Sequence, residues 1–212
     1  MPHPIEEELS PRERRFARTQ QAILHAARAI IHEQGVDKLS MRAIADRIDY
    51  SPAGLYEYFG SKEEIVAQVA RQGHRLLRQA MLRVAPDLAP HDYLVEIGLA
   101  YIDFAVQNPD YFSLIFTQSV APAPAQELDL HNHEFMDEDS SFPLLLGGVQ
   151  RMLEAGLIRP QAGMGVWEIA YCFWAIVHGI AMLRTTYLRD MPMNYASVDR
   201  AALEAFGRGM AR

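Results

Sequence analysis

The 212-residue sequence predicts an all-α protein in two parts, a three-helix N-terminal unit built around a helix-turn-helix and a larger helical body. Three observations predict it. Apolar residues recur at three- and four-residue spacing along most of the chain, with no strand-like alternation and no internal repeat. Ser and Pro stand where helices should begin, and Gly where they should end. Charge is also uneven: residues 9–62 hold nine Lys/Arg against six Asp/Glu, whereas residues 63–212 hold eleven against eighteen. A basic head on an acidic body suits a chain whose one end meets a polyanion, although a merely solvated charged face gives the same count.

The elements follow in order. After an acidic tail (residues 1–9), Ser10-Pro11-Arg12-Glu13 is a helix start: Ser10 caps, Pro11 takes the first position, where no donor is needed, and Glu13 completes a capping box. Phe16, Ile23, Ala27, Ile30 and Ile31 then face inward until Gly35. Ser40 caps a second helix over Met41–Ile48, with Met41, Ile44, Ala45 and Ile48 inward. Ser51 caps a third over Pro52–Phe59, with Leu55 and Phe59 inward, and Gly60 stops it. A second capping box, Ser61-Lys62-Glu63-Glu64, opens a long helix through about Val84, which places the boundary of the N-terminal domain (10–60) and the body (61–212) at Gly60. Further helices are expected at about 91–107, 109–118, 141–156, 163–189 and 195–210. The stretch 121–139, with paired prolines, six acids and no Lys or Arg, reads as an exposed loop.

Composition narrows the class. Cys172 is the single cysteine, so no disulfide framework exists, and a reducing cytoplasm is the expected location. The first ten residues lack a hydrophobic run, so no signal peptide is expected. The apolar stretch Trp167–Leu183 is interrupted by Glu168 and His178, and is expected to be a buried helix rather than a membrane span. His25, His32, His74 and Cys172 show no nucleophile–base pattern, and no phosphate loop or nucleotide fingerprint is present, so neither an enzyme nor a cofactor is expected.

The residues with chemistry lie at 40–59. Two short helices around Asp49-Tyr50-Ser51 have the length of a helix-turn-helix, whose second helix enters the DNA major groove with its N-terminal residues toward base edges. Ala53 and Gly54 are small enough for close approach, while Tyr56 and Tyr58 project outward, each with a hydroxyl for phosphate or base and a ring for a thymine methyl. The third helix holds no Lys or Arg, so electrostatic grip is expected from its frame: Arg14, Arg15 and Arg18, Arg42 and Arg47, and Lys62.

Ser40-Met-Arg-Ala-Ile-Ala, then Ser51-Pro-Ala-Gly-Leu-Tyr-Glu-Tyr-Phe-Gly-Ser-Lys-Glu-Glu, resembles the DNA-binding signature of the TetR family of repressors over about residues 12–66. The resemblance implies an all-helical homodimer, a small-molecule effector pocket in the body, and release from operator DNA when the effector binds. It places DNA contacts at Ser40, Arg42, Ser51, Ala53, Gly54, Tyr56 and Tyr58, with Lys62 as a phosphate anchor. Two positions depart from the pattern. Asp49 replaces the usual turn glycine, which Asp tolerates because it adopts left-handed geometry. Glu57 adds a carboxylate that either accepts from a cytosine amino group or points off the DNA. Trp174-Ala-Ile-Val-His178-Gly179 resembles the Trp…His-Gly element of one C-terminal subclass of the family.

In the body, Tyr101, Phe104, Phe112, Ile115 and Phe116 cluster, and Trp167, Tyr171, Trp174 and His178 share one helical stripe. Singly such residues read as core; as a set they suit an apolar or aromatic ligand, with His178 orienting a ligand oxygen or bonding a neighbouring backbone. A helix apolar all round must be covered on every side. Phe173, Ile176, Val177, Ile180 and Leu183 are therefore expected to pair with Val198, Ala202, Ala205, Phe206 and Gly209 in a four-helix dimer interface. Two alternatives remain: a metal-responsive regulator using the His131/His133 loop, although no closed metal pattern is present, and a helical ligand-binding protein without DNA activity.

Overall fold

The computed structural model describes residues 10–117, 138–158 and 163–210, and its regular elements are all helical. The order is α1 (Pro11–Gln34), a 3-10 turn (Val36–Lys38), α2 (Met41–Arg47), α3 (Pro52–Leu55), α4 (Lys62–Leu82), α5 (Pro90–Gln107), α6 (Pro109–Thr117), α7 (Phe142–Glu154), α8 (Val166–Thr185) and α9 (Tyr195–Met210). Packing divides the chain into two units between Ala70 and Arg71, inside α4. The first turns of α4, with buried Ile65 and Val69, belong to the first unit.

Local chemistry sets the first unit. Ser10 accepts from the Glu13 amide at 3.3 Å and the Glu13 carboxylate accepts from the Ser10 amide at 2.7 Å, which is the expected capping box. Gly35, at φ +85°, ends α1. Ile23, Ile44, Leu55 and Ile65 have no exposed surface. Removing such a side chain from water stabilises by about 1.5–3 kcal/mol each, so these four hold α1 to α4 together. Phe16 is not among them: it is exposed and lies against Tyr58. At the far end of α1, Glu33 takes two bonds from the Arg47 guanidinium, 2.8 and 2.5 Å, tying the ends of α1 and α2. That bond holds the Glu33 carboxyl below its ordinary range.

In the second unit, α5 is central and packs against α6, α7, α8 and α9. Two glycines make this possible by letting neighbouring side chains occupy the place of a Cβ. At Gly98, on α5, Leu203 and Val177 would stand 3.0 and 3.1 Å from a Cβ; at Gly148, on α7, Leu94 would stand 2.6 Å away. Arg151 of α7 donates to the Pro86 and Leu88 carbonyls, at 2.9 and 2.5 Å, pinning the α4–α5 connection.

Helix α8 corrects one expectation. Among the described residues it is the helix long and apolar enough to cross a membrane by length and composition, but here it is a core helix on one side only. Ile169, Ala170, Phe173, Val177 and Ala181 are buried, while Tyr171, Ala175, Gly179 and Leu183 face outward. No described residue covers this second face.

Candidate functional site

The recognition segment is built from caps and turns. Ser40 accepts from the Ala43 amide at 3.1 Å and starts α2; Ser51 accepts from the Gly54 amide at 3.0 Å and starts α3. Asp49 joins them at φ +54°, the left-handed geometry anticipated for that turn position. Regular α-helix stops at Leu55. Beyond it Tyr56, Glu57 and Tyr58 donate to Ala53, Gly54 and Leu55, three residues back, so the segment tightens toward 3-10 geometry before Phe59. The expected helix through Phe59 is therefore shorter and tighter than its pattern suggests.

The side chains divide into two groups. Ser40, Ser51, Ala53, Tyr56 and Glu57 are exposed, as are Arg14, Arg15, Arg18 and Arg42. Tyr56 is 57% exposed, and the Arg42 side chain is 85% exposed with only a distant ion pair to Asp46, 3.9 Å. Lys62 is half-buried at the start of α4. Tyr58 behaves differently. Its ring stacks on Phe16 at 4.7 Å between centroids, and its hydroxyl lies 3.3 Å from that of Tyr50. The Tyr50 ring in turn covers Gly54, where an added Cβ would meet it at 2.7 Å, so any larger residue at 54 displaces Tyr50. The sequence marked Tyr58 as a projecting contact; the structure makes it also a brace between α1 and the recognition segment. Tyr50 was not singled out, and its one signal was an aromatic in a turn.

A second cluster lies in the body. Phe112 and Phe116 approach the His178 ring at 5.4 and 5.0 Å, Trp174 at 6.0 Å, and Tyr101 lies 5.9 Å from Phe112. Hydrogen bonds run through it: the Trp174 indole N–H reaches the Tyr101 hydroxyl at 3.4 Å, and that hydroxyl is 2.9 Å from His178 Nδ1. His178 thus bonds a phenol rather than backbone. Burial pushes the Tyr101 phenol well above its ordinary range and the His178 imidazole below its own, so both are neutral near pH 7. Trp167 joins through Phe142, whose ring lies 5.5 Å from Trp167 and 5.9 Å from Trp174. Phe142 went unnoticed in the sequence because it opens a helix directly after a long polar stretch.

Two residues assigned to this set lie elsewhere. Phe104 is buried on α5 without a ring contact to the cluster among the described residues. Tyr171 is 65% exposed, at the edge of the open α8 face, because the stripe 167–171–174–178 straddles the border between covered and uncovered sides. The His131/His133 loop of the metal-responsive alternative lies outside the described residues, among which no group of three or more His, Cys, Asp or Glu could hold a metal ion.

The residues expected at a dimer face divide by burial in the chain. Phe173 and Val177 are only 6% and 8% exposed, and Phe173 meets Phe206 of its own chain at 5.0 Å. Ile176 and Ile180 are half-buried, whereas Leu183, Val198, Ala202 and Ala205 are exposed as expected. The open stripe of α8 runs Tyr171–Ala175–Gly179–Leu183, about 100° (one residue) from the stripe read in the sequence.

An all-helical chain with a capped helix-turn-helix in one unit and an aromatic cluster in the other has the architecture of a bacterial regulatory protein. The chain belongs to the TetR family. Residues 23–69 match the bacterial regulatory proteins of that family, and residues 94–206 match the tetracyclin repressor-like C-terminal domain. It is 29% identical over 98 residues to the uncharacterized HTH-type transcriptional regulator YobS of Bacillus subtilis, covering 46% of this chain and 51% of that one. With the HTH-type transcriptional repressor NicS of Pseudomonas putida it shares 26% over 104 residues, 49% of each chain. The chain thus spans about half the length of the curated relatives it matches. A structure of a protein with unknown function from Rhodococcus sp. RHA1 superposes with a TM-score of 0.74 at 23% identity, covering 99% of this chain and 100% of that one.

Proposed function

We propose that the protein is a sequence-specific DNA-binding repressor that acts as a homodimer and leaves a near-palindromic operator when an apolar or aromatic small molecule occupies the cluster around His178. The observation that carries this reading is the surface at Ser51–Tyr56. It is a capped helix start with small residues, an exposed tyrosine and exposed arginines on the preceding helices, which is what a major-groove reader requires.

The open faces of α8 and α9 support dimerisation. Tyr171, Ala175, Gly179 and Leu183 on one helix, and Val198, Ala202, Ala205 and Gly209 on the other, are exposed and largely small. A Cβ added at Gly179 or Gly209 would meet nothing within 4 Å among the described residues. Small residues permit close helix approach, so a second copy placing the same two helices there would close a four-helix core. Isologous pairing of this kind is the common form of soluble homodimers.

Coupling runs through α4, one continuous helix from Lys62 to Leu82. In the second unit its His74 ring lies 6.4 Å from Phe116, which belongs to the aromatic cluster. A ligand that prefers a different placement of Phe116 biases α4, and it shifts the equilibrium only by its differential affinity for the two arrangements.

The test is the salt dependence of binding to a duplex enriched from a random pool. Arg42→Ala and Lys62→Ala should each weaken binding on all sequences and reduce the slope of log K against log salt by about 1. Tyr56→Phe should instead change which sequence is preferred. Unchanged affinity and slope in both charge variants would remove this surface from the DNA interface.

A further inference from the structure

The hydrogen-bond chain in the aromatic cluster fixes proton positions, and these define the kind of effector it takes. Trp174 Nε1 can only donate, and it donates to the Tyr101 oxygen. Tyr101 is 4% exposed, so its own proton needs an acceptor inside the protein. Among the described residues that acceptor is His178 Nδ1, 2.9 Å away. A neutral imidazole accepting at Nδ1 carries its proton on Nε2. Burial favours that neutral form. The chain Trp174→Tyr101→His178 thus ends on a donor, Nε2–H, that no described residue meets, on a half-buried ring set among Phe112, Phe116 and Trp174.

We infer that the effector is an uncharged aromatic molecule with a hydrogen-bond acceptor, of the aryl ketone, ester or ether class, and that His178 Nε2–H donates to that acceptor. This deepens the ligand half of the proposed function and rests on it. Neutral His178 and the rings around it bring no formal charge, so a carboxylate entering the cluster would lose its hydration without gaining a counter-charge there. A pure hydrocarbon would meet the rings but leave Nε2–H unmet. Tyr101 acts as a positioning residue: by holding the proton off Nδ1, it directs the donor outward.

The test compares 2-acetylnaphthalene, 2-ethylnaphthalene and 2-naphthoate, which share a ring system and differ in the acceptor and charge. The full-length protein is titrated by calorimetry, with emission of Trp167 and Trp174, the only two tryptophans of the chain, as the reporter of location. The ketone is expected to bind roughly three- to tenfold more tightly than the ethyl compound, the worth of one net neutral hydrogen bond. The carboxylate should bind more weakly than both. His178→Phe should abolish the ketone preference while retaining the hydrocarbon. Tyr101→Phe, which removes one oxygen and leaves the ring, should reduce the preference, and it serves as the test if His178→Phe does not fold. Tightest binding by 2-naphthoate, or a ketone preference untouched by either substitution, overturns the inference alone. Absence of heat or emission change with all three probes overturns the ligand-site reading itself and the inference with it, while DNA binding, measured separately by salt slope, stands or falls independently.

Discussion

Gly179→Arg should convert the protein to a monomer in solution and lower its affinity for operator duplex by a hundredfold or more. Gly179 sits in the second half of α8 on the open face, where a Cβ would meet nothing within 4 Å among the described residues, which leaves room there for the new side chain. Helix propensity favours the change by up to about 1 kcal/mol, because glycine is the poorer helix former. The cost is expected on the proposed four-helix interface, where two copies would each bury an unpaired guanidinium between apolar helices. Loss of pairing removes the second half-site contact, and linking two binding modules is commonly worth a factor of about 10²–10⁴. Light scattering at micromolar concentration, with circular dichroism to show retained helix, reads both outcomes. A dimer that survives the substitution would place the interface on another surface.

Arg184→Met should destabilise the body strongly. The Arg184 guanidinium donates to the Asp199 carboxylate at 2.7 Å and lies over the Tyr195 ring at 4.7 Å, joining the end of α8 to the start of α9. The Asp199 side chain is only 6% exposed. Removing one partner of a buried pair leaves an uncompensated charge and costs about 3–5 kcal/mol. The sign of the pH dependence follows. Burial already raises the Asp199 carboxyl above its ordinary value of 3.8, with Arg184 opposing the rise. Without Arg184 the rise is larger, so the folded state holds its proton to higher pH than the unfolded one. The deficit relative to wild type is therefore small near pH 4 and grows as pH rises toward neutrality. Arg184→Met/Asp199→Leu, which removes both charges, should recover most of the loss. A single variant as stable as wild type at pH 7 in thermal unfolding would show that the pair contributes nothing to the α8–α9 junction.

How much of this was legible depends on the range of the signal. Caps are local, so Ser10, Ser40 and Ser51 marked their helices correctly, and Asp49 in left-handed geometry could be read from residue type alone. Periodicity identifies an apolar face but not which neighbour covers it. That is why the stripe expected at a dimer face on α8, apolar all round, took in Phe173 and Val177, which are buried in the chain's own core. Long-range pairings carry no pattern in sequence. The Arg184–Asp199 bond, the Phe16–Tyr58 stack and the Tyr101–His178 bond join residues 15 to 77 positions apart, and only the folded chain brings them together. Pattern also overstated α3, since the inward spacing of Leu55 and Phe59 is met equally by a helix that tightens after one turn.

The central claim is that two copies of the N-terminal unit read one symmetric duplex. Selection of bound DNA from a random pool by the full-length protein tests it most directly. The account predicts enrichment of a near-palindrome whose half-site centres lie about one helical turn apart, roughly 34–36 Å, or a multiple of that. A pool that stays random after repeated rounds, or one that converges on a single asymmetric half-site, would contradict it.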